Sequence, residues 1–370
     1  MNFQHQKEMK DDPLKLVYIV GYKIFQNEHV KLILKLLLCI MSLVLLVQTC
    51  LFVSSPNFLK LTKYGLNFFQ MAYAAFVIFV HLYINKWIDD IMSSFPLWDI
   101  DTAGEQIKNK IKKESKIIQT YVISNTISCQ FWVSLMLYSQ LTTLPHRNDG
   151  LNGCYCMLSL IVYVIDFAML GHTYQFLYVT QQVKFQMYLF NKYVEEVCRM
   201  DEEETEEENL VDNQRYQEEV KLRLTLLVRR HCEFKRWKTM CLHVIRRFII
   251  PFSLGAGVLL FMDLYAFLTR EQLPSIVVWC NALFTLQATS AFICTITAGE
   301  TLQDESDKTF TTLMLTKWYN FNCKNRKYFL LMLCNSLKPI NLNFSAEIAI
   351  NYSLGMAIGK LVYLGVSVFF

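Results

Sequence analysis

The final stretch of the chain, residues 351–370, reads NYSLGMAIGKLVYLGVSVFF and carries one charged side chain, Lys360. A helix of this length covers about 30 Å, which matches the hydrocarbon thickness of a bilayer. A preceding stretch, residues 305–339, is polar and amphipathic, and it is too charged to enter lipid. The sequence therefore predicts a chain that ends inside or just across a membrane, with a cytosolic helix packed before the last span.

Other long apolar stretches precede this one. Hydrophobic residues make up 53% of the sequence and charged residues 18%, whereas a soluble domain averages about 25% charged residues. We therefore expect an all-α polytopic membrane protein with seven transmembrane helices. The six earlier spans are predicted at residues 30–53, 64–84, 117–141, 155–180, 248–268 and 274–297.

The segments between the spans indicate how the chain is organised. Residues 201–208 hold seven acids, which repel one another and favour a solvated loop. In residues 215–247 apolar side chains recur every three or four positions, which is typical of an amphipathic helix. The predicted units are a cytosolic N-terminal segment (1–29), transmembrane helices one to four with a cytosolic extension (30–200), an acidic cytosolic loop (201–214), a cytosolic anchor helix (215–247), transmembrane helices five and six (248–297), a cytosolic anchor segment (298–343) and a pore-lining last helix (344–370).

Lysine and arginine set the expected orientation, because they concentrate on the cytoplasmic side of membrane proteins. The basic stretches at residues 108–113, 215–247 and 324–327 all fall on one predicted side. The N-terminus is therefore expected in the cytoplasm and the C-terminus outside the cell. This orientation is opposite to that of a G-protein-coupled receptor, and the sequence also lacks the DRY and NPxxY motifs.

Three blocks of sequence resemble the insect odorant receptor family, which is related to the insect gustatory receptors. They are LTLLVRRHCEFKRWKTM at 224–240, AGETLQDESDKTF at 298–310 and TKWYNFNCKNRKYFLLMLCNSLKPINL at 316–342. The last block is the most specific, with its Trp-Tyr pair, Arg-Lys pair, leucine run and Ser-x-Lys-Pro. The residues that carry the match are His231, Gly299, Leu302, Ser306, Trp318, Tyr319, Arg326, Lys327, Ser336, Lys338 and Pro339.

The resemblance implies an odorant-gated, non-selective cation channel in the plasma membrane of a sensory-neuron dendrite. The chain lacks the long insertion between spans four and five that is typical of the odorant co-receptor, so it is similar to a ligand-tuning subunit. Such a subunit assembles with co-receptor copies into a heterotetramer with one central pore and binds a small volatile organic ligand. A gustatory receptor channel, built as a homotetramer, is the main alternative; a transporter is less favoured because no inverted repeat is visible.

The resemblance also assigns roles to residues. The pore and gate residues are Val362, Val366, Phe369 and Phe370. The ligand-binding residues are Phe69, Tyr73, Phe76, Trp132, Met136, Ser139, Met157, Ile161 and Phe284. The anchor and interface residues are His231, Trp318, Tyr319, Arg326, Lys327, Lys338 and Pro339.

Other classes of function find little support in the sequence. The histidines are isolated and no glycine-rich phosphate loop is present, so we expect no enzyme, no cofactor and no metal site. The basic anchor has a periodic apolar stripe, which favours helix–helix association over nucleic acid as a partner. The cysteines do not form a disulfide framework, and a bridge at Cys154 or Cys156, for example Cys154 to Cys280, stays open.

Overall fold

The structure is a computed structural model that describes residues 12–54, 58–83, 86–143, 149–198, 210–269, 275–343 and 348–367. In these ranges the chain is built from α-helices joined by short turns, and a single isolated bridge, Asn343 to Ala349, is the only β-type pairing. The prediction of an all-helical fold is confirmed. The helices are α1 (Lys15–Gly21), α2 (Glu28–Ser54), α3 (Phe58–Tyr83), α4 (Lys86–Ser94), α5 (Glu105–Thr143), α6 (Asp149–Glu195), α7 (Gln214–Thr269), α8 (Ser275–Met314), α9 (Cys323–Ser336) and α10 (Tyr352–Ser367).

Two local features, an N-cap residue and a glycine with positive φ, set where helices α9 and α5 begin. Asn322 caps α9, because its side-chain oxygen accepts a hydrogen bond from the backbone N–H of Asn325 at 2.9 Å. Gly104, with φ of 83°, separates a 3-10 turn from the start of α5. This left-handed backbone conformation favours glycine, and it allows α5 to begin in a different direction from the 3-10 turn before it.

Helix α6 is the central element of the fold. Its second half is buried continuously from Leu177 to Asn191, and it packs against α1, α5 and α8. Polar side chains of α6 and α8 pair inside this core: Asn191 Nδ2 donates to Glu305 Oε1 at 2.9 Å, and Thr309 Oγ1 donates to Asn191 Oδ1 at 2.7 Å. These bonds fix the register of α8 against α6, since a buried polar group without a partner is costly.

Helix α2 is apolar on most of its surface and largely uncovered. Only 11% of its most apolar window is buried inside the protomer. Within the described chain it is the one helix that is long and apolar enough to cross a bilayer by itself, and the bent pair Met71–Tyr83 and Ile88–Ser94 could form a second span. An apolar face of this size needs an apolar environment. The number of spans and their orientation stay predictions.

Arg230 on α7 links three parts of the chain from a fully buried position. Its guanidinium donates to the carbonyl oxygen of Pro96 at 2.6 Å, to Gln186 Oε1 at 2.6 Å and to Glu233 Oε2 at 2.8 Å. Burial lowers the pKa of Arg230 to about 10, although Glu233 acts in the opposite direction. The guanidinium also lies 4.3 to 5.0 Å from the ring centres of Phe95, Trp98 and Phe234.

We expect Arg230→Ala to lower the free energy of unfolding by about 3–5 kcal/mol, because it leaves buried acceptors without a donor. The thermal midpoint of the detergent-solubilised protein measures this loss. Arg229→Ala is the matched control: the Arg229 side chain is 73% exposed and contacts only Glu233, at 3.5 Å, so it should change stability by less than about 1 kcal/mol. Equal shifts in the two variants would contradict the role given to Arg230.

Candidate functional site

The described residues that follow α9 (337–343) and precede α10 (348–351) lie against α8. The backbone N–H of Ile340 donates to Ser306 Oγ at 2.7 Å, and that of Ile350 donates to the carbonyl oxygen of Leu342 at 2.7 Å. The bridge between Asn343 and Ala349 lies beside the second bond. The end of the predicted anchor and the start of the last helix are therefore tied to each other and to α8.

Gly299 on α8 allows this close approach. A Cβ built on Gly299 would lie 2.1 Å from the carbonyl oxygen of Ile350. No side chain fits there without movement of the backbone. The resemblance to the receptor family singled out Gly299, and the structure gives it a physical reason: two backbones meet at this point.

Glu300 caps the N-terminus of α10. Its Oε2 accepts a hydrogen bond from the backbone N–H of Tyr352 at 2.8 Å, and Asn351 Oδ1 accepts one from the N–H of Leu354 at 3.1 Å. Carboxylates at a helix N-terminus satisfy free N–H groups and interact favourably with the helix dipole. We call Gly299, Glu300, Ile350, Asn351 and Gly355 the α8–α10 junction.

Beyond the junction α10 has few contacts with the rest of the described chain. Gly355 packs on Ile296 of α8, at 3.3 Å from the position of its missing Cβ. Further along the helix most described side chains are exposed, including the charged Lys360, and that of Tyr363 is 73% exposed. Exposed large apolar side chains on α10 are Tyr352, Met356, Leu361, Tyr363 and Leu364.

The predicted gate residues are only partly described. Val362 is half-buried on α10. Val366 lies within α10, but its side chain is outside the described set, and Phe369 and Phe370 lie outside the described residues. Their role at a gate stays a prediction.

His231 forms a second part of the site, in the predicted anchor. It is 7% exposed and lines a small open groove. Burial lowers the pKa of His231 to about 4, and the charge of Lys235 adds to the effect, while a hydrogen bond to the Asn335 carbonyl opposes it. The groove is lined by Met187, Phe190, His231, Phe234, Ser306, Thr309, Ser336, Lys338 and Ile340.

Two lysines of α7 hold the chain that leaves α9. Lys235 Nζ donates to the carbonyl oxygens of Asn335 and Lys338, at 2.7 and 3.3 Å. Lys238 Nζ donates to the carbonyl oxygen of Pro339 at 3.2 Å. Cations at a helix C-terminus satisfy its free carbonyl groups. Sequence reasoning missed both lysines, because they lie about a hundred residues before the carbonyls they bind.

The predicted anchor residues fall into two groups. His231, Lys338 and Pro339 meet at the groove and at the α7 lysines. Trp318, Tyr319, Arg326 and Lys327 lie at the other end of α9, where Arg326 Nη2 donates to the carbonyl oxygen of Tyr319 at 2.6 Å. Trp318, Tyr319 and Lys327 are exposed. Their assignment to a subunit interface stays a prediction.

Four of the nine predicted ligand-binding residues have described side chains, and their grouping into a pocket stays a prediction. Phe69 is at the surface, and Phe76 and Trp132 are half-buried. Tyr73 packs against α7, where its ring lies 2.5 Å from the position a Cβ would take on Gly255. The side chains of Met136, Ser139, Met157, Ile161 and Phe284 lie outside the described set, as do those of Cys154, Cys156 and Cys280. Among the described residues no group of three or more His, Cys, Asp or Glu is placed to hold a metal ion.

The comparisons with known proteins agree with the architecture. No protein-family model and no curated protein sequence matches the chain. The solved structure of the insect olfactory receptor OR5 from Machilis hrabei superimposes with a TM-score of 0.73 at 10% sequence identity, over 96% of each chain. The structure of the same receptor in complex with eugenol gives a TM-score of 0.65 at 8% identity, again over 96% of each chain. The chain has the insect olfactory receptor fold.

We expect Gly299→Ala to loosen the start of α10, because its new methyl group meets the Ile350 carbonyl. A local loss of about 1.4 kcal/mol would speed amide hydrogen exchange about tenfold. Hydrogen exchange of peptides covering residues 348–358 measures it. Gly257→Ala is the control, since nothing lies within 4 Å of the Cβ position at Gly257; unchanged exchange in Gly299→Ala would contradict the close approach.

The lowered pKa of His231 predicts a loss of stability in acid. The unfolded chain takes up a proton near the ordinary pKa of 6.5 and the folded chain only near 4, so the unfolded state binds more protons between these values. The free energy of unfolding should fall as the pH drops through this window, by at most about 3 kcal/mol. Thermal midpoints across the window measure it. His231→Gln should flatten the profile, and His243→Gln, at an exposed site on the same helix, should leave it unchanged; a profile that His231→Gln does not alter would refute the assignment.

Proposed function

We propose that the chain is the odorant-binding subunit of a ligand-gated, non-selective cation channel. In this proposal it assembles with odorant co-receptor subunits into a heterotetramer, and α10 of each subunit lines one central pore. The observation that carries the proposal is α10 itself: an apolar helix fixed to its protomer at the α8–α10 junction and otherwise exposed. The insect olfactory receptor fold, matched over 96% of the chain, supports the same function.

A membrane location follows from the exposed apolar surfaces. Most of α2 is uncovered in the protomer, which suits contact with lipid chains. We place the protein in the plasma membrane with seven spans, a cytoplasmic N-terminus and an extracellular C-terminus, since the basic stretches lie on one predicted side. In this orientation α7 passes from the cytosolic anchor into the membrane as one helix.

The anchor offers the surface for assembly. Large apolar side chains on and around α9 are exposed although their helix packs against α7 and α8. Exposed apolar patches of this kind are typical of protein–protein contacts. We assign them to the subunit interface of the tetramer: Met314, Leu315, Tyr328, Leu330, Leu331 and Leu337.

The gate in this proposal is a ring of apolar side chains from Val366 and Phe370, with Val362 and Phe369 beside them. Such a ring closes a pore because water leaves a narrow apolar constriction. The ligand is a small volatile organic molecule that binds among the outer halves of spans two, three, four and six. Binding favours the open state, so the ligand acts through a shift in population.

The test is the current in cells that express this chain alone or with the odorant co-receptor, measured against an odorant panel. We expect odorant-evoked current that reverses near zero millivolts and requires the co-receptor. Current from the chain alone would favour a self-sufficient homotetramer of the gustatory receptor type. Saturable flux without single-channel steps would indicate a transporter. If the chain and the co-receptor both reach the cell surface and no odorant evokes a current, the result would count against the channel function.

Val366→Thr should raise the current without odorant about fivefold, because a polar side chain removes about 1 kcal/mol of the cost of wetting the gate. Single-channel open probability measures this effect. Val211→Thr makes the same chemical change at an exposed site before α7 and serves as the control. An open probability that does not change in Val366→Thr would place the gate elsewhere on α10.

A further inference from the structure

A buried acid lies where helices α5, α6 and α8 meet. Asp166 on α6 is 8% exposed, and its Oδ2 accepts a hydrogen bond from the Sγ–H of Cys129 on α5. Gln287 on α8, also 8% exposed, lies beside Cys129. Its Nε2 makes no hydrogen bond in the described part of the chain, and no hydrogen bond to Asp166 Oδ1 is formed there either. The Oδ1 atom of Asp166 is therefore available to accept a hydrogen bond from a further donor.

The acid has no basic partner on these three helices. The predicted spans at 117–141, 155–180 and 274–297 contain no lysine or arginine. The one histidine among them, His172 on α6, belongs to a different face: its ring stacks on His81 of α3 at 3.9 Å, and its Nε2 lies 3.3 Å from the carbonyl oxygen of Val77. A carboxyl group in an apolar bundle without a cation is costly, and such groups mark functional sites.

The cluster is closed on its cytosolic side. About two turns below Asp166 along α6, the hydroxyl of Tyr174 is bonded to Asn125 at 3.2 Å and to Thr126 at 2.9 Å. These groups are satisfied, and Asn125 and Tyr174 are buried. On the outer side the next polar pair is Tyr163 with Ser134, whose hydroxyls are bonded to each other, and Ser134 is exposed. A ligand that reaches Asp166 would therefore arrive from the outer half of the bundle.

Helical spacing connects the cluster with the predicted ligand-binding residues. Trp132 and Met136 follow Cys129 by three and seven positions on α5, and Phe284 precedes Gln287 by three positions on α8. Residues at these spacings share one face of a helix. Asp166, Cys129 and Gln287 therefore lie one turn below the predicted pocket and form its floor.

We propose that this floor recognises an amine: Asp166 pairs with the protonated nitrogen of a small volatile primary amine, and the apolar part of the ligand lies outward among the aromatic residues. This inference rests on the proposed function, because it names the ligand class of the same receptor. An ammonium supplies the missing cation and N–H donors for the Asp166 oxygens. An alcohol of equal length offers one donor and no charge, so it binds the floor less tightly.

The test compares hexylamine with hexanol and phenethylamine with phenethyl alcohol. Each ligand is applied to cells that express the chain with the co-receptor, and each is also added to purified full-length protein in a thermal-shift assay. We expect the amines to be preferred in both measurements. Asp166→Asn should weaken the amine response more than about tenfold and the alcohol response by a clearly smaller factor, whereas Asp166→Glu should retain the preference for amines.

Tyr174→Phe is the control variant, because it removes a hydroxyl one layer below the floor and should not alter the choice between amine and alcohol. A receptor that responds to alcohols and not to amines would overturn the inference and leave the channel function intact. An amine response that survives Asp166→Asn would overturn it as well. A thermal shift with amines that Asp166→Asn abolishes, in the absence of any current, would support the amine site and count against the channel. Absence of both current and thermal shift with amines would overturn the inference.

Discussion

The structure depends on one constraint: backbone N–H and C=O groups that leave water must be bonded within the chain. Helices meet this constraint without help from neighbours, and in lipid they are one of only two solutions. Here it produces very long helices, with α6 at 47 residues and α7 at 56. A helix of that length rises about 70 to 85 Å, so each continues from a predicted span far into the predicted anchor. The two regions are therefore rigidly connected, and the anchor can only assemble in a geometry that the spans also allow.

Helix α10 is the exception to this continuity. It is separated from α9 by residues 337–351, and its first turn is held by Glu300 and by the close approach of Ile350 to Gly299. The last helix is thus joined to the predicted anchor through residues 337–351, whereas α5, α6, α7 and α8 each run from a predicted span into the anchor as one helix. A helix attached at one end can tilt or rotate at a smaller cost than a helix packed along its length, since few apolar contacts must be broken. This is the property that a pore-lining helix needs if the pore is to open and close.

The sequence was sufficient to predict the parts of this structure that depend on local pattern. The apolar stretches and the three–four spacing of Val220, Leu224, Leu227 and Phe234 predict helices, and these side chains are buried in α7. The close approach at Gly299 was marked by resemblance alone. Glu300, Lys235 and Lys238 were missed, because each binds a backbone group that is 50 to 100 residues away in the chain. From the sequence alone, charged residues on a helix are expected to face solvent. Only the packing of α7, α8 and α9 shows which of them bind the backbone of another element. The ligand pocket is harder still, since it depends on which side chains point between helices.

Helix α8 contributes residues both to the proposed floor of the ligand site and to the α8–α10 junction. Gln287 lies in the polar floor between α5 and α6, and Gly299 and Glu300 hold the start of α10 about 18 Å further along the same helix. Between them Ile296 packs on Gly355 of α10. An α-helix is stiff along its axis, so in the proposed receptor a shift of α8 toward a ligand at the floor would reach the junction. At Gly299 the backbones of α8 and of the chain before α10 lie too close for a side chain to come between them. In this proposal the start of α10 would move with α8, because no side chain there can absorb the displacement.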